Sequence, residues 1–473
     1  MKHKSIFAAL TAFLTILQFA AVPAAAALGD TDASGAVNAS DAAQVLIAAA
    51  EYGAQGTAPD ETALALYDVN GDGLVNASDA QVILAYAAYT GAGGRLTFDS
   101  YLTADIRTVD AVFLGVKDWG KSQTTFANAD SFQYRFLVDD AEQLYTIDNS
   151  EVNEAGERTY PIQNLLKVQY HYAITVENGQ IVSAQETETG LPTYTPPISG
   201  TPGVMTLRNF LQTAMEPVGT TLYMFGGGWN WQDDGGGWAS RKIGVQPDWV
   251  RFWQEQDQNY TYRDNYGNTS NPTPTKSFYP YGGFNQYHYA GLDCSGYVSW
   301  AVYNTLHDID DLPSYGGKST QMARRYAGYG WGDWLHDYPK PTSGGEALCP
   351  GDIISKQGHV YLVIGTCPDG SVVIAHSTPS YSYAGQPGGG VQIGAVGTSA
   401  SCQAYQLAKT YMERYYPGWC ERYKITLQST TYFDRPTADC GRFRWDTQNF
   451  LTDPEGLQSM NAADALACIF GET

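Results

Sequence analysis

The stretch GLDCSGYVSW, Gly291–Trp300, sets one cysteine between an aspartate and a serine at the start of an apolar run. The residues after Cys294 can form a helix, with the cysteine in or near its first turn. A helix N-terminus stabilises negative charge and lowers a thiol pKa, which suits a nucleophile. The same placement also suits a buried or disulfide-bonded cysteine. The choice turns on whether the chain supplies a base and a group to orient it.

The chain has seven histidines. His3 lies in the N-terminal apolar segment and His171 in an upstream strand pattern. His288, His307 and His336 lie in Tyr- and Trp-rich stretches and read as loop or surface residues. The other two mark strands: His359 opens HVYLVIG and His376 closes VVIAH. A hairpin of even connection puts them on one face. Pairing Val363 with Val372 and Tyr361 with Ile374 would set them directly opposite, with Cβ atoms about 4.5–5.5 Å apart. An odd connection would split them between faces. A same-face pair at a strand edge suits a base and its orienting partner.

Four segments in this order resemble the NlpC-type cysteine peptidases of bacterial cell-wall turnover, a compact papain-like α+β fold. They are GTTLYMFGGG (Gly219–Gly228), LDCSGYVSW (Leu292–Trp300), PGDIISKQGHVYLVIG (Pro350–Gly365) and VVIAHS (Val372–Ser377). The resemblance implies Cys294 as nucleophile, His359 as general base and His376 as orienting residue. It places Tyr223 near the oxyanion and substrate, and gives Asp293 and Ser295 a part in holding the substrate peptide. The backbone N–H of Cys294 would help stabilise the oxyanion. It implies hydrolysis of an amide in peptidoglycan stem peptides, often next to D-glutamate, by thiolate attack and an acyl-enzyme, with no cofactor for catalysis. A papain-like protease acting on plant or foreign protein is an alternative within enzymes. A non-catalytic binding module of the same fold is the alternative outside them.

Two additions depart from the family pattern. An insertion at 228–290 is dense in Trp and Tyr, which either line a substrate groove or cover a small core of their own. An extension of nearly a hundred residues follows His376; its YYPGWCERY and GRFRWD suggest packing back onto the domain. The peptidase domain as a whole is read as 206–473.

A repeat lies upstream. DTDASGAVNASDAAQVLI starts at Asp30 and DVNGDGLVNASDAQVILA at Asp68. Each begins like an EF-hand loop, with Gly35 and Gly73 at the sharp turn. The first loop offers Asp30, Asp32, Ser34, Asn38 and Asp41, with the Ala36 carbonyl. The second offers Asp68, Asn70, Asp72, Asn76 and Asp79, with the Leu74 carbonyl. These hard oxygen ligands suit two structural calcium ions. Each loop leads into an apolar helix, and no full incoming helix is visible. This half-EF-hand duplication, residues 28–94, resembles the dockerin family. The resemblance implies a cohesin domain of a scaffold protein as partner. It gives recognition roles to Ala39, Ser40, Ala77 and Ser78, identical pairs that leave room for two binding orientations.

Between these segments, residues 96–190 alternate apolar and polar side chains in five short runs, from AVFLGV to QIVSAQE. They predict a small all-β barrel with a tight turn at Asn178–Gly179. Residues 191–205, rich in Pro, Thr and Gly, read as an extended linker. The first 27 residues carry Lys2, Lys4, an apolar run and small residues, the pattern of a signal peptide. A secreted protein at the cell surface or on a cellulosome is therefore expected, without a membrane span after cleavage. A net charge of −22 argues against nucleic acid as a partner. Seven cysteines leave at least one unpaired. Four of them, Cys402, Cys420, Cys440 and Cys468, make one or two disulfides plausible.

Overall fold

Asn38 ends the first loop with its side chain accepting from the Ser40 N–H, while Asp41 reaches back to the Asn38 N–H. This capping box starts a helix. The computed structural model describes residues 27–91, 93–117, 133–147, 151–152, 158–159, 161–224, 226–228, 241–255, 288–307, 318–338, 347–379 and 389–472. The expected signal peptide, but for residue 27, and most of the aromatic insertion lie outside these residues. Two compact units form, one of residues 1–109 and 174–185, the other of 110–173 and 186–473.

The first unit begins with α1 (Ala39–Gln55), α2 (Glu61–Tyr67) and α3 (Ala77–Gly91). Ala42, Val45 and Ala48 of α1 recur at helical spacing and are buried with Ala80 and Ile83 of α3. The short α2, capped by Asp60, enters the second loop, so that loop does have an incoming helix. Phe98 joins the same core from α4 (Phe98–Thr103), with Tyr101 and Leu102 against it. The boundary expected near residue 95 therefore falls too early, because these apolar side chains complete the helical core.

The strands that follow are β1 (Ile106–Lys117), β2 (Gln133–Val138) and β3 (Ala141–Thr146). The two-residue β4 (Glu151–Val152) and β5 (Arg158–Thr159) pair with each other, and α5 (Pro161–Leu165) leads to β6 (His171–Glu177) and β7 (Gln180–Glu186). The order β1-β2-β3-β7-β6 closes into a barrel, which leaves no open edge. Tyr134, Phe136 and Val138 point inward from β2, as do Tyr172, Ile174 and Val176 from β6. Asn178 and Gly179 turn the last hairpin at φ 49° and 82°, angles that Asn-Gly adopts with little strain.

The second unit contains α6 (Leu207–Met215), α7 (Pro247–Glu255), α8 (Cys294–Leu306) and α9 (Met322–Gly328), then β8 (Gly332–Leu335), β9 (Ile353–Lys356), β10 (His359–Thr366), β11 (Val372–Thr378) and β12 (Gly390–Val396). The extension adds α10 (Gln403–Tyr415), α11 (Pro417–Cys420), β13 (Leu427–Gln428), β14 (Gly441–Trp445) and α12 (Ala462–Phe470). Seven strands form one sheet in the order β13-β12-β11-β10-β9-β14-β8. Strand β14 is thus inserted between β9 and β8, making the extension part of the central sheet. Every residue of β11 and β12 is buried, and α8, α10 and α12 pack on the sheet.

The expected linker is not a free spacer. The Gly200 N–H donates to Glu216 Oε1 at 2.9 Å, and the Thr201 N–H to Asn209 Oδ1 at 2.7 Å. Asn209 returns hydrogen bonds to the Thr201 and Val204 carbonyls. The expected disulfides are also absent. No disulfide joins cysteines among the described residues, and the four C-terminal ones sit on or beside four different elements.

Glu216 makes one prediction. Burial lifts its carboxyl from 4.5 to about 7, so the folded state holds a proton there that the unfolded chain releases. The stability from the neutral form is complete below about 4.5 and is lost as pH rises through about 7. Glu216→Gln keeps an acceptor for Gly200 and removes the charge. It should raise Tm by several degrees at pH 8, roughly 3 kcal/mol, and much less at pH 5. Equal shifts at both pH values would contradict this account.

Candidate active site

The start of α8 is built from short-range hydrogen bonds. Asp293 Oδ1 accepts from the Gly296 N–H at 2.7 Å and from Ser295 Oγ at 2.8 Å, capping the helix. The Leu292 N–H donates to the Leu222 carbonyl, and the Asp293 N–H to the Gly227 carbonyl. The glycines permit this contact: a Cβ on Gly296 would lie 2.2 Å from the Gly227 oxygen. The segment bearing Tyr223 is thereby held against the first turn of α8, and Tyr223 itself is buried. Ser377 Oγ donates to the Leu292 carbonyl at 2.6 Å, fastening the end of β11 to the same turn.

Cys294 is 6 % exposed, and its thiol lies against the backbone N–H of Val360, the residue after His359. His359 Nε2 is 3.3 Å from His376 Nδ1, and His376 Nε2 is 2.7 Å from Thr426 Oγ1. With Nε2 occupied in this chain, Nδ1 is the His359 nitrogen left for another partner. The structure therefore brings Cys294, His359 and His376 into one place, and adds Thr426.

The protonation states differ from the sequence expectation. Burial, then the Asp293 carboxylate, push the Cys294 thiol up, outweighing the N–H groups that lower it. Burial holds His359 well below its usual value, helped by His376 and Lys356. Burial also brings His376 down to about 3. At neutral pH the resting site is a thiol beside two neutral imidazoles rather than a preformed thiolate. The reason is desolvation, which penalises every charged form in an enclosed site.

Asp293 is itself pushed up to about 6 by burial, against the N–H and hydroxyl groups it accepts from. Asp293→Asn keeps a capping oxygen and removes the charge beside the sulfur. The pH profile of Cys294 alkylation should move to lower pH, by about one unit. An unmoved profile would show that this carboxylate does not act on the thiol.

The hairpin register corrects the expected pairing. Near the turn, Thr366 pairs with Val372 and Gly365 with Val373. Continued, that register would set His376 opposite Leu362 and put the two histidines on opposite faces. A bulge at Ile364 shifts the pairing to Val363 with Ile374 and Leu362 with Ala375. His376 then falls opposite Tyr361, with His359 two residues along on the same face. The histidines meet diagonally rather than directly. Gly365 is required at the bulge, because a Cβ there would lie 2.8 Å from Ala462 Cα at the start of α12.

Two residues of the extension complete the site. Thr426 orients His376 as described. Tyr432 packs its ring on His359, His376 and Tyr361, with centroids 5.2, 6.2 and 5.3 Å apart, and its hydroxyl bonds Thr378. No local pattern in the sequence marks either residue. The other histidines stay apart: His171 is exposed on β6 and His307 ends α8, while His336 Nδ1 pairs with the Cys440 carbonyl at 2.8 Å. The side chain of His288 lies outside the described residues.

The upstream loops form a second site. Carboxylate oxygens of Asp30, Asp32 and Asp41 lie within 4.8 Å of one another. Asp30 accepts from the Ser34 and Gly35 N–H groups, and Asp41 from those of Thr31 and Asn38. Asp68 and Asp79 repeat this pattern toward Asp72, Gly73 and Asn76. Ser34 Oγ and Asn38 Nδ2 both reach the Ala36 carbonyl, which aims that oxygen into the loop. The donor set is hard oxygen throughout and fits calcium. Ala39, Ser40, Ala77 and Ser78 are exposed on the first turns of α1 and α3.

Residues 28–86 match the dockerin type I domain. Dockerin domains bind calcium, so the first loop would hold an ion with Asp30, Asp32 and Asp41, and the second with Asp68, Asp72 and Asp79. The dockerin implies a cohesin partner, and such domains occur in secreted cellulosome components. No curated protein matches the chain. No described helix is long and apolar enough to cross a membrane.

Proposed function

We propose that the second unit is an NlpC-type, papain-like cysteine hydrolase of amide bonds, carried to a scaffold by the dockerin. The observation supporting this reading most strongly is the chain Cys294, His359, His376, Thr426. It offers a nucleophile at a helix start, a base on the adjoining strand and two groups that fix the base. The substrate class we favour is the peptidoglycan stem peptide.

In this reading His359 Nδ1 takes the thiol proton as the sulfur attacks the carbonyl carbon. Proton transfer and attack are coupled, since neither ion is stable in the resting site. The oxyanion forms beside the Cys294 N–H. His359 then protonates the leaving amine, and the acyl-enzyme remains. Water, deprotonated by His359, attacks the acyl carbon and releases the acid and the thiol. Tyr223, Asp293 and Ser295 stand at the substrate side of this turn, with Asp293 and Ser295 also committed to capping it.

The dockerin favours a second reading, a protease acting on plant or foreign protein, because scaffold attachment directs an enzyme outward. The exposed Leu46, Ile47 and Leu84 on α1 and α3 support a partner face for the cohesin. Wild type and Cys294→Ala should be incubated with peptidoglycan, stem peptides and a protein mixture, and the products read by mass spectrometry. The cleaved bond separates the two readings. Equal release by both proteins would refute the hydrolase, and no release by either would point to a binding module.

A further inference from the structure

Helices α6 and α8 both end at a cavity of about 320 Å³ that none of the catalytic candidates lines, a volume in the range of small-molecule sites. Glu216 follows the last residue of α6, and Asn304 lies in the last turn of α8. Asn304 stands ten residues beyond Cys294, about 15 Å along the helix axis. Tyr194, Pro196, Pro202, Ile243 and Val245 give the cavity walls of ring and hydrocarbon. The Asn304 side chain is already satisfied by the Gly244 N–H and the Lys242 and Trp300 carbonyls. Glu216 is the charged residue among the described ones that line the cavity, and it is 9 % exposed. Its Oε1 accepts from the Gly200 N–H. Among the described residues, no hydrogen bond reaches Oε2 and no Lys, Arg or His forms an ion pair with it.

A carboxylate here has little to support its charge. The C-terminal ends of two helices carry partial negative charge, and burial lifts the carboxyl to about 7. A cation in the cavity would meet the carboxylate, both helix ends and apolar walls. The one free oxygen selects the kind of cation. A guanidinium pairs best with two oxygens at once, whereas an ammonium acts as a compact point charge. Calcium takes about six to eight oxygen ligands, which these walls do not supply. We infer that this cavity binds a primary alkylammonium group, with its nitrogen on Glu216 Oε2 and its chain against Tyr194, Ile243 and Val245. The group belongs to a free alkylamine or to a lysine side chain of a peptide. The site stands apart from the hydrolase reading and takes no part in the proton transfers.

The test titrates the full chain at pH 8 with n-butylamine, with its neutral counterpart n-butanol, and with Nα-acetyl-lysine N-methylamide. Binding is read by saturation-transfer NMR and by the shift in Tm. In wild type n-butylamine should bind more tightly than n-butanol by about tenfold or more. Glu216→Gln keeps the acceptor for Gly200 and should weaken n-butylamine by about the same factor, although the variant itself is the more stable at this pH. Ile243→Ala, at the exposed rim, keeps the carboxylate and should weaken n-butylamine severalfold while methylamine changes little. Cys294→Ala should bind n-butylamine as wild type does. The lysine derivative separates the sources: affinity equal to that of n-butylamine assigns a peptide side chain, and much weaker affinity assigns a free amine. No binding of n-butylamine by wild type, equal binding by Glu216→Gln, or equal binding of n-butanol overturns the inference and leaves the hydrolase standing. Loss of n-butylamine binding in Cys294→Ala would move the amine to the catalytic residues and overturn it as well.

Discussion

Cys294→Ala is expected to lower amide release by about a thousandfold or more, with folding unchanged. The substitution removes one sulfur from the first turn of α8 and leaves the Asp293 cap in place. The remaining groups can still bind substrate but cannot form an acyl-enzyme. His359→Ala should cost a comparable factor, because the thiol is held protonated by burial and His359 is the base proposed to take its proton. In the double variant the losses should not multiply. A nucleophile and its base act as one unit, and removing either already disables the step. The measurement is the initial rate of release from the substrate identified by mass spectrometry, for both single variants and the double. Multiplying losses would mean that His359 serves something other than Cys294.

Chelating calcium is expected to weaken cohesin binding by about a hundredfold or more and to reduce the helicity of the dockerin. The argument is electrostatic. The carboxylates of Asp30, Asp32 and Asp41 approach within 4.8 Å. Like charges at that range repel, most strongly for the buried Asp30 and Asp41. Calcium removes this repulsion. Without it the loops should open, taking with them the first turns of α1 and α3, where Ala39, Ser40, Ala77 and Ser78 sit. Circular dichroism and cohesin titration before chelation, after it and on restoring calcium provide the check. Binding indifferent to all three states would exclude calcium as a structural element.

The dockerin was legible because its information is local. Ligand spacing, the turn glycines and the capping asparagines all lie within a dozen residues of one another, twice over. The barrel was legible as five alternating runs, since a strand with one buried face writes its period into the chain. The site was half legible: Cys294 by its place before an apolar helix, and the histidines by their place at strand ends. Thr426 and Tyr432 were not, because nothing near them in sequence shows which strand they will meet.

The sequence by itself determined which residues are candidates for the site, and which segments become helix, strand or carboxylate-lined loop. Only the tertiary structure decided how those groups meet. The bulge at Ile364, set against α12 through Gly365, places His359 and His376 on one face; the plain register would have separated them. Insertion of β14 into the sheet makes the C-terminal extension part of the domain that carries the site. Burial then sets the charge states, holding the thiol protonated and both imidazoles neutral. Register, long-range pairing and desolvation arise between segments far apart in the chain, and no local pattern records them.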